Sequence, residues 1–404
     1  MNRRRFIRNT LLASATASLW PRFSFAANKS DVATYQKLDH LYLSDFEAEQ
    51  DEGPILLGNS RQTWLTTLRR KDFPDGREIV SCFALNGDAW KEIQPVTVAG
   101  EYEAVAADCA TGGVPIVVWT AIENGRFLIQ AAVSKKNKFQ PAVTISAPAQ
   151  RSINPVVKAI GPRSYLVAWE VFARGQFSIH AARCDDNKWS APVKVAGDAT
   201  SCFEPALEVA KSGEIYLAYT STEGMHRNIF LAILDSQSLA TVKTVPVAIG
   251  GGLKDRVNIN AHPSLAFDRE QRLWISWENN RFTTRLEDSD NYTGDRCCAM
   301  VCYKDGQLYE QKEIGRWLFQ GENDHLPTFF KDPGGRLFVL THCGGDHERP
   351  FYSFRISRLD PALGWTPPVT LAETKQKGEV QRPSIAFAKD GKSFWFIWKS
   401  DLTK

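Results

Sequence analysis

The sequence predicts an all-β chain, folded as a seven-bladed β-propeller closed by an N-terminal strand, and three observations predict it. The first is a recurring phrase. Asn260-Ala261-His262-Pro263 leads into the apolar run ending at Phe267, a charged turn, and then Leu273-Trp274-Ile275-Ser276-Trp277-Glu278. The same phrase starts at Pro54, Ala104, Pro155, Pro205, Pro263, Pro327 and Pro383, at spacings of 50, 51, 50, 58, 64 and 56 residues. Repetition at such a period marks a solenoid, a propeller or an array. The second observation is what fills each unit. Runs such as Ile116-Val117-Val118-Trp119 are short, apolar and rich in β-branched and aromatic residues, and turn signals such as Asp332-Pro333-Gly334-Gly335 and Asp390-Gly391 bound them. Those are strands joined by tight turns, and four of them per unit is the content of a propeller blade. The third is an incomplete end. The last unit holds only two strands, 383–388 and 393–399, whereas Tyr35–Leu43 reads as a strand with no unit of its own. An open ring would leave a bare sheet edge, so the N-terminal strand is expected to complete the last blade. A six-bladed, sialidase-like propeller is the alternative.

In chain order, the first segment reads as an export signal. Asn2-Arg3-Arg4-Arg5-Phe6-Ile7-Arg8 precedes an apolar stretch through Leu19-Trp20, and Ser24-Phe25-Ala26 has the small-x-small form of a cleavage site. The paired arginines are of the twin-arginine type. Residues 1–26 are thus expected to be a twin-arginine signal peptide and 27–404 a single propeller domain, periplasmic or secreted. Loss of the leader removes five arginines and no acid, taking the formal net charge from +3 to −2. A nearly neutral chain argues against nucleic-acid binding by bulk charge. No later run approaches membrane-spanning length. The eight cysteines lack a Cys-x-x-Cys pair and zinc-finger spacing; an even count in an exported chain permits disulfides, but mostly free, buried strand cysteines are expected. Oligomeric state is not readable from the chain.

In a propeller, the connection entering each innermost strand and the loop leaving the second strand open on one face. The residues leading into the slots therefore crowd one rim: Glu103, Asn154, Glu204, His262, His325 and Arg382. The second set of loops adds Glu278-Asn279-Asn280-Arg281, the segment from His342 through His347 to Arg349, and Glu223 to Arg227. Five of the seven histidines fall in these segments. Turns expected on the opposite face, such as Asp185-Asp186-Asn187-Lys188, are short and solvated. Histidine can take and return a proton near neutral pH, and arginine can neutralise a carboxylate or a sulfate. The candidate catalytic residues are accordingly His262, His325, His342 and Glu204. Candidate substrate-binding residues are Arg382, Arg281, Asn154, Glu103, His347 and Arg349. Carboxylates at Glu103, Glu204, Glu278 and Asp324 leave an acid–base or nucleophile pair for glycoside cleavage open.

Other motifs fail on inspection. Gly391-Lys392-Ser393 lacks the first glycine of a phosphate loop, and Gly250-Gly251-Gly252 has no helix after it. Asp288, Asp290 and Asp295 offer oxygens to calcium, but Tyr292 and Thr293 break the loop pattern, and no cofactor or metal is expected.

The units, with inner strands like Pro263–Phe267 and ends like Asn187-Lys188-Trp189-Ser190-Ala191-Pro192-Val193, resemble the sialidase-like (BNR-repeat) propeller superfamily over nearly the whole mature chain. No intact Ser-x-Asp-x-Gly-x-Thr-Trp box is present. In slot count and histidine-rich rim the chain looks more like seven-bladed polysaccharide lyases and related glycosidases acting on uronate-containing glycans. That resemblance implies a histidine or tyrosine base and an arginine on the uronate carboxylate. By residue type, His262 and His325 suit the base and acid, and Arg382 or Arg281 the carboxylate. The leading expectation is an exported enzyme cleaving an anionic glycan. A glycoside hydrolase with paired carboxylates and a non-catalytic propeller that binds a glycan or protein are the alternatives.

Overall fold

The structure, a computed structural model, describes residues 9–13, 40–42, 55–58, 62–70, 77–86, 89–109, 114–135, 138–224, 226–249, 258–281, 295–309, 317–319, 324–332, 334–344, 352–362, 364–373, 380–387 and 394–400. Every regular element among them is a strand. The strands lie in six open sheets, and none of these closes on itself among the described residues. Within the sheets a four-strand antiparallel meander recurs along the chain. Its first strands are Ile55–Gly58, Glu101–Cys109, Arg151–Gly161, Cys202–Val209, Asn258–Phe267, Asp324–Lys331 and Val380–Phe387. These head units one to seven below. Units four and five share a sheet through one parallel bridge, Arg227 to Ile259.

Second strands explain why the units stack. Pro115–Ala121 is buried throughout, because a strand alternates its side chains between two faces and both faces are covered. Val117, Trp119 and Ala121 pack against Leu57, Trp64 and Val80 of unit one. Ile116 and Val118 point the other way, against Tyr165, Val167 and Trp169 of unit three. In turn Leu166 and Ala168 meet Leu217 and Tyr219 of unit four, and Tyr216 and Ala218 meet Ile275 and Trp277 of unit five. The core is thus a series of apolar layers between neighbouring sheets. Trp119, Trp169 and Trp277, each in the second strand of its unit, pack between units, and all three are buried. Trp398 also lies in a second strand, with its side chain outside the described residues.

First strands face one another in cyclic order. Each touches the first strand of the next unit, and that of unit seven touches that of unit one. All but Asn258–Phe267, which bridges unit four at one residue, are sheet edges, so their outward N–H groups need partners. The preceding unit supplies them. Ala159 N–H donates to Asp108 Oδ2 at 2.8 Å, Phe329 N–H to Ser264 Oγ at 3.2 Å, and Leu56 N–H to Ser384 Oγ at 2.8 Å.

The last unit differs from expectation in one respect. His40–Tyr42 does join its sheet, but as the outermost strand, and Asn9–Ala13 lies between it and Phe394–Ser400. Asn9–Ala13 falls inside the expected leader; two N-terminal segments therefore complete this sheet where the sequence suggested one. Among the described residues Cys82, Cys109, Cys184, Cys202, Cys298, Cys302 and Cys343 are free thiols, all buried but Cys109. Burial pushes the Cys82 and Cys109 thiols up to about 12 and Cys184 and Cys302 up to about 11, so they are unreactive as nucleophiles at neutral pH. The calcium candidate at 288–295 lies, apart from the strand residue Asp295, outside the described residues. No helix among the described residues is long and apolar enough to cross a membrane.

Candidate functional site

The site is built on a repeated kink. In unit five the antiparallel register runs Ala261 to Glu278, then jumps to Ser264 with Ser276, leaving His262 and Pro263 opposite Trp277 alone. Units three, four, six and seven jump at Ile153/Val156, Phe203/Ala206, His325/Thr328 and Gln381/Ser384. An inserted residue of this kind is a β-bulge, which bends the strand and re-aims a side chain. Proline suits it because it has no N–H to place in the ladder. In units three to six the residue before the proline takes a left-handed backbone, with φ of 52° at Asn154, 54° at Glu204, 52° at His262 and 47° at Leu326. Unit two has the same geometry at Ala104, φ 39°. Such backbone costs about 1–3 kcal/mol per non-glycine residue and collects at functional sites.

The bulges converge. Asn154, Glu204, His262, Leu326 and Ser384 line one cavity of about 380 Å³, with Glu170 in its wall. Glu204 is held from several directions. Its Oε2 accepts from Thr220 Oγ1 at 2.7 Å and from the His262 N–H at 2.9 Å, and its Oε1 lies 3.4 Å from His262 Nδ1. Nδ1 is thus the imidazole nitrogen turned to the carboxylate, and the ring is part of the cavity lining. The His262 side chain is 31% exposed and that of Glu204 19%. A carboxylate behind an imidazole fixes its tautomer and favours the protonated ring once a proton has been taken.

Glu170 and Glu278 brace the kinks from behind. Each follows a second-strand tryptophan, is nearly fully buried, and accepts the N–H of the strained residue in the next unit: Glu204 N at 2.9 Å and Leu326 N at 3.3 Å. Beneath His262, Asn260 Oδ1 accepts from Trp277 Nε1 at 2.9 Å and Asn279 Nδ2 at 2.7 Å. Four residues further along the inner strands, Lys158 Nζ pairs with Glu208 Oε2 at 2.9 Å. Burial opposes the Lys158 charge, but Glu208 and Asp108 outweigh it and hold its pKa above the usual lysine value. That belt ties units two, three and four together away from the cavity mouth.

The other sequence-predicted residues fall as follows. His342 is buried and is the cross-strand partner of His325, whose side chain lies outside the described residues. Two slots are shifted from the reading above. In unit six the strained residue is Leu326, one after His325, and in unit two it is Ala104, one after Glu103. A one-residue offset places His325 and Glu103 at the position of Ala261, and Glu103 is exposed, outside the cavity lining. Arg382 precedes Pro383, which lines the cavity, and Arg281 ends the second strand of unit five; both side chains lie outside the described residues. His347 and Arg349 are also outside them. Glu170 was missed by sequence reasoning, although Trp169-Glu170 and Trp277-Glu278 occupy the same place in their units. Among the described residues, no group of three or more His, Cys, Asp or Glu side chains is arranged to hold a metal.

No protein-family model and no curated protein matches the sequence. Solved structures do match the fold. An ulvan lyase of a polysaccharide lyase family superposes with a TM-score of 0.54 at 11% identity, covering 86% of this chain and 88% of that one. An ulvan lyase of that family bound to -[GlcA(1-4)Rha3S]- gives 0.52 at 10% identity, covering 84% and 87%. An α-L-arabinofuranosidase mutant from Fusarium graminearum in complex with an iminosugar inhibitor gives 0.49 at 12% identity, covering 74% and 92%. At these identities the likeness is one of fold, an all-β, propeller-like architecture shared with the ulvan lyases.

Proposed function

We propose that the chain is an exported carbohydrate-active enzyme, a ring of seven blades closed by N-terminal strand pairing, that cleaves an anionic, uronate-containing glycan by elimination. The observation that carries this reading is the Glu204–His262 pair, held at two adjacent strained positions in the one cavity where the inner strands converge. The cyclic contact of the first strands supports the ring. An ulvan lyase of this fold holds a glucuronate-containing repeat, so the architecture accommodates such a chain.

In the proposed step, His262 Nε2 takes the proton on the carbon beside the uronate carboxyl, and Glu204 stabilises the imidazolium that forms. The electron pair left on that carbon makes the ring double bond, the bond from the adjacent carbon to the glycosidic oxygen breaks, and the leaving oxygen takes a proton from His325 or from His262 itself. Arg382, beside the cavity, or Arg281 neutralises the uronate carboxylate, which makes the neighbouring proton easier to remove. Asn154 binds the sugar at the rim; His342 supports His325; His347, Arg349 and Glu103 extend the polar mouth. Residues 1–26 direct export in this reading, and once they are removed the strand at 35–43 is the N-terminal segment that completes the last blade.

A second reading rests on Glu170, the other carboxylate in the cavity wall. Glu204 and Glu170 would then be the pair of a glycoside hydrolase. The products separate the two. Elimination yields ultraviolet absorbance from an unsaturated uronate, and Glu170→Gln keeps most of that activity. Hydrolysis yields reducing ends without the absorbance, and Glu170→Gln loses them. If no polysaccharide in a panel of uronate-containing and neutral polymers is cut, neither reading stands.

A further inference from the structure

Outside the cavity, the mouth ends of successive strands carry a row of aromatic and guanidinium groups. The Arg151 guanidinium lies 4.1 Å over the ring of Phe127, and Arg151 is the cross-strand partner of Phe172. Phe172 and Phe177 have ring centroids 4.9 Å apart, Phe177 and Phe203 6.5 Å, and the Arg227 guanidinium lies 5.1 Å over Phe203. The row crosses units two, three and four. Phe203 immediately precedes Glu204, and Arg151 is three residues before Asn154, so the row runs along the lip of the cavity. At its far end a second, open cavity of about 670 Å³ is bounded by Arg126, Phe127, Gln150 and Arg151.

Two features need explaining. Phe172 is 37% exposed, against the usual burial of phenylalanine. Arg151 and Arg227 have no carboxylate within ion-pair distance among the described residues, although Glu123 sits across the strand pair from Arg126. A guanidinium laid flat on a ring keeps its N–H edge turned outward and its geometry fixed, which suits two-point binding of a carboxylate or sulfate. Exposed ring faces beside it suit the apolar faces of sugar rings.

We infer that this row is a binding track for an anionic polysaccharide, holding several sugar units to one side of the cleavage point. The inference rests on the proposed function of the cavity and adds to it a polymeric, charged substrate gripped outside the reacting position. It is tested by affinity electrophoresis in gels cast with polygalacturonate, alginate or chondroitin sulfate, with arabinan as the neutral control. At least one anionic polymer should retard the wild type, arabinan should not, and added salt should weaken the retardation. The double variant Arg151→Ala/Arg227→Ala should bind that polymer about a hundred-fold more weakly, since each lost charge-assisted contact is worth about one decade. Phe172→Ala should weaken it less. Cleavage of the polymer should show a raised KM in the double variant, with kcat on a short oligosaccharide unchanged. If the wild type binds or cuts a polymer and the double variant, folded by circular dichroism, matches it, the track is wrong and the cavity reading survives. If the wild type neither binds nor cuts any of these polymers, both fall together.

Discussion

Replacing His262 with alanine is expected to lower kcat by about 10²–10⁴, the range over which a positioned proton-transfer group contributes. Stability should change by no more than about 1 kcal/mol, because the imidazole is about one third exposed and no apolar layer depends on it. Its partner behaves differently. Glu204 both faces the imidazole and accepts the His262 backbone N–H and the Thr220 hydroxyl. Glu204→Gln keeps an acceptor for those donors, so it should fold normally and lose activity by removing the charge behind His262. Glu204→Ala also strands a backbone donor, at a cost of about 1–3 kcal/mol. Steady-state rates together with urea midpoints for the three variants separate the roles. Full activity in His262→Ala would remove it from the chemistry.

The largest stability loss is expected at Trp277. Its indole is fully buried between units four and five, stands opposite the His262–Pro263 bulge, and donates to Asn260. Trp277→Ala should cost about 3–5 kcal/mol, the transfer loss together with the cavity left behind. It also leaves Asn260 without one of its donors, and removes the support of the strained backbone at His262. The activity remaining in the folded fraction should therefore fall as well. A denaturation midpoint unchanged from the wild type would contradict inter-unit packing as the source of the core.

The repeat was legible because its parts answer to local chemistry. Proline at a ladder-free position, alternating apolar strands and tight turns recur at recognisable spacing, and they led to Asn154, Glu204 and His262 as one set. The side on which a residue emerges was less legible. A bulge inserts one residue into a period of two, and the slot moves from His325 to Leu326 and from Glu103 to Ala104. Glu170 was hidden for a related reason: it lies inside the apolar strand Ser164–Ala173, directly after Trp169, and the N–H it accepts belongs to the next unit. Asn9–Ala13 lies within the expected leader, where an apolar run after basic residues satisfies an export pattern and can equally add a strand to a sheet edge. The rim row escaped notice because its members are scattered over a hundred residues and meet only through neighbouring sheets.

The most direct test is a crystal structure of His262→Ala soaked with a uronate oligosaccharide. A sugar ring should lie in the cavity between Asn154, Glu204 and Pro327, with the carbon beside its carboxyl turned toward position 262 and the carboxylate toward Arg382. A ligand on the opposite face, or inner strands that do not bring Asn154, Glu204 and His262 to one cavity, would contradict the account.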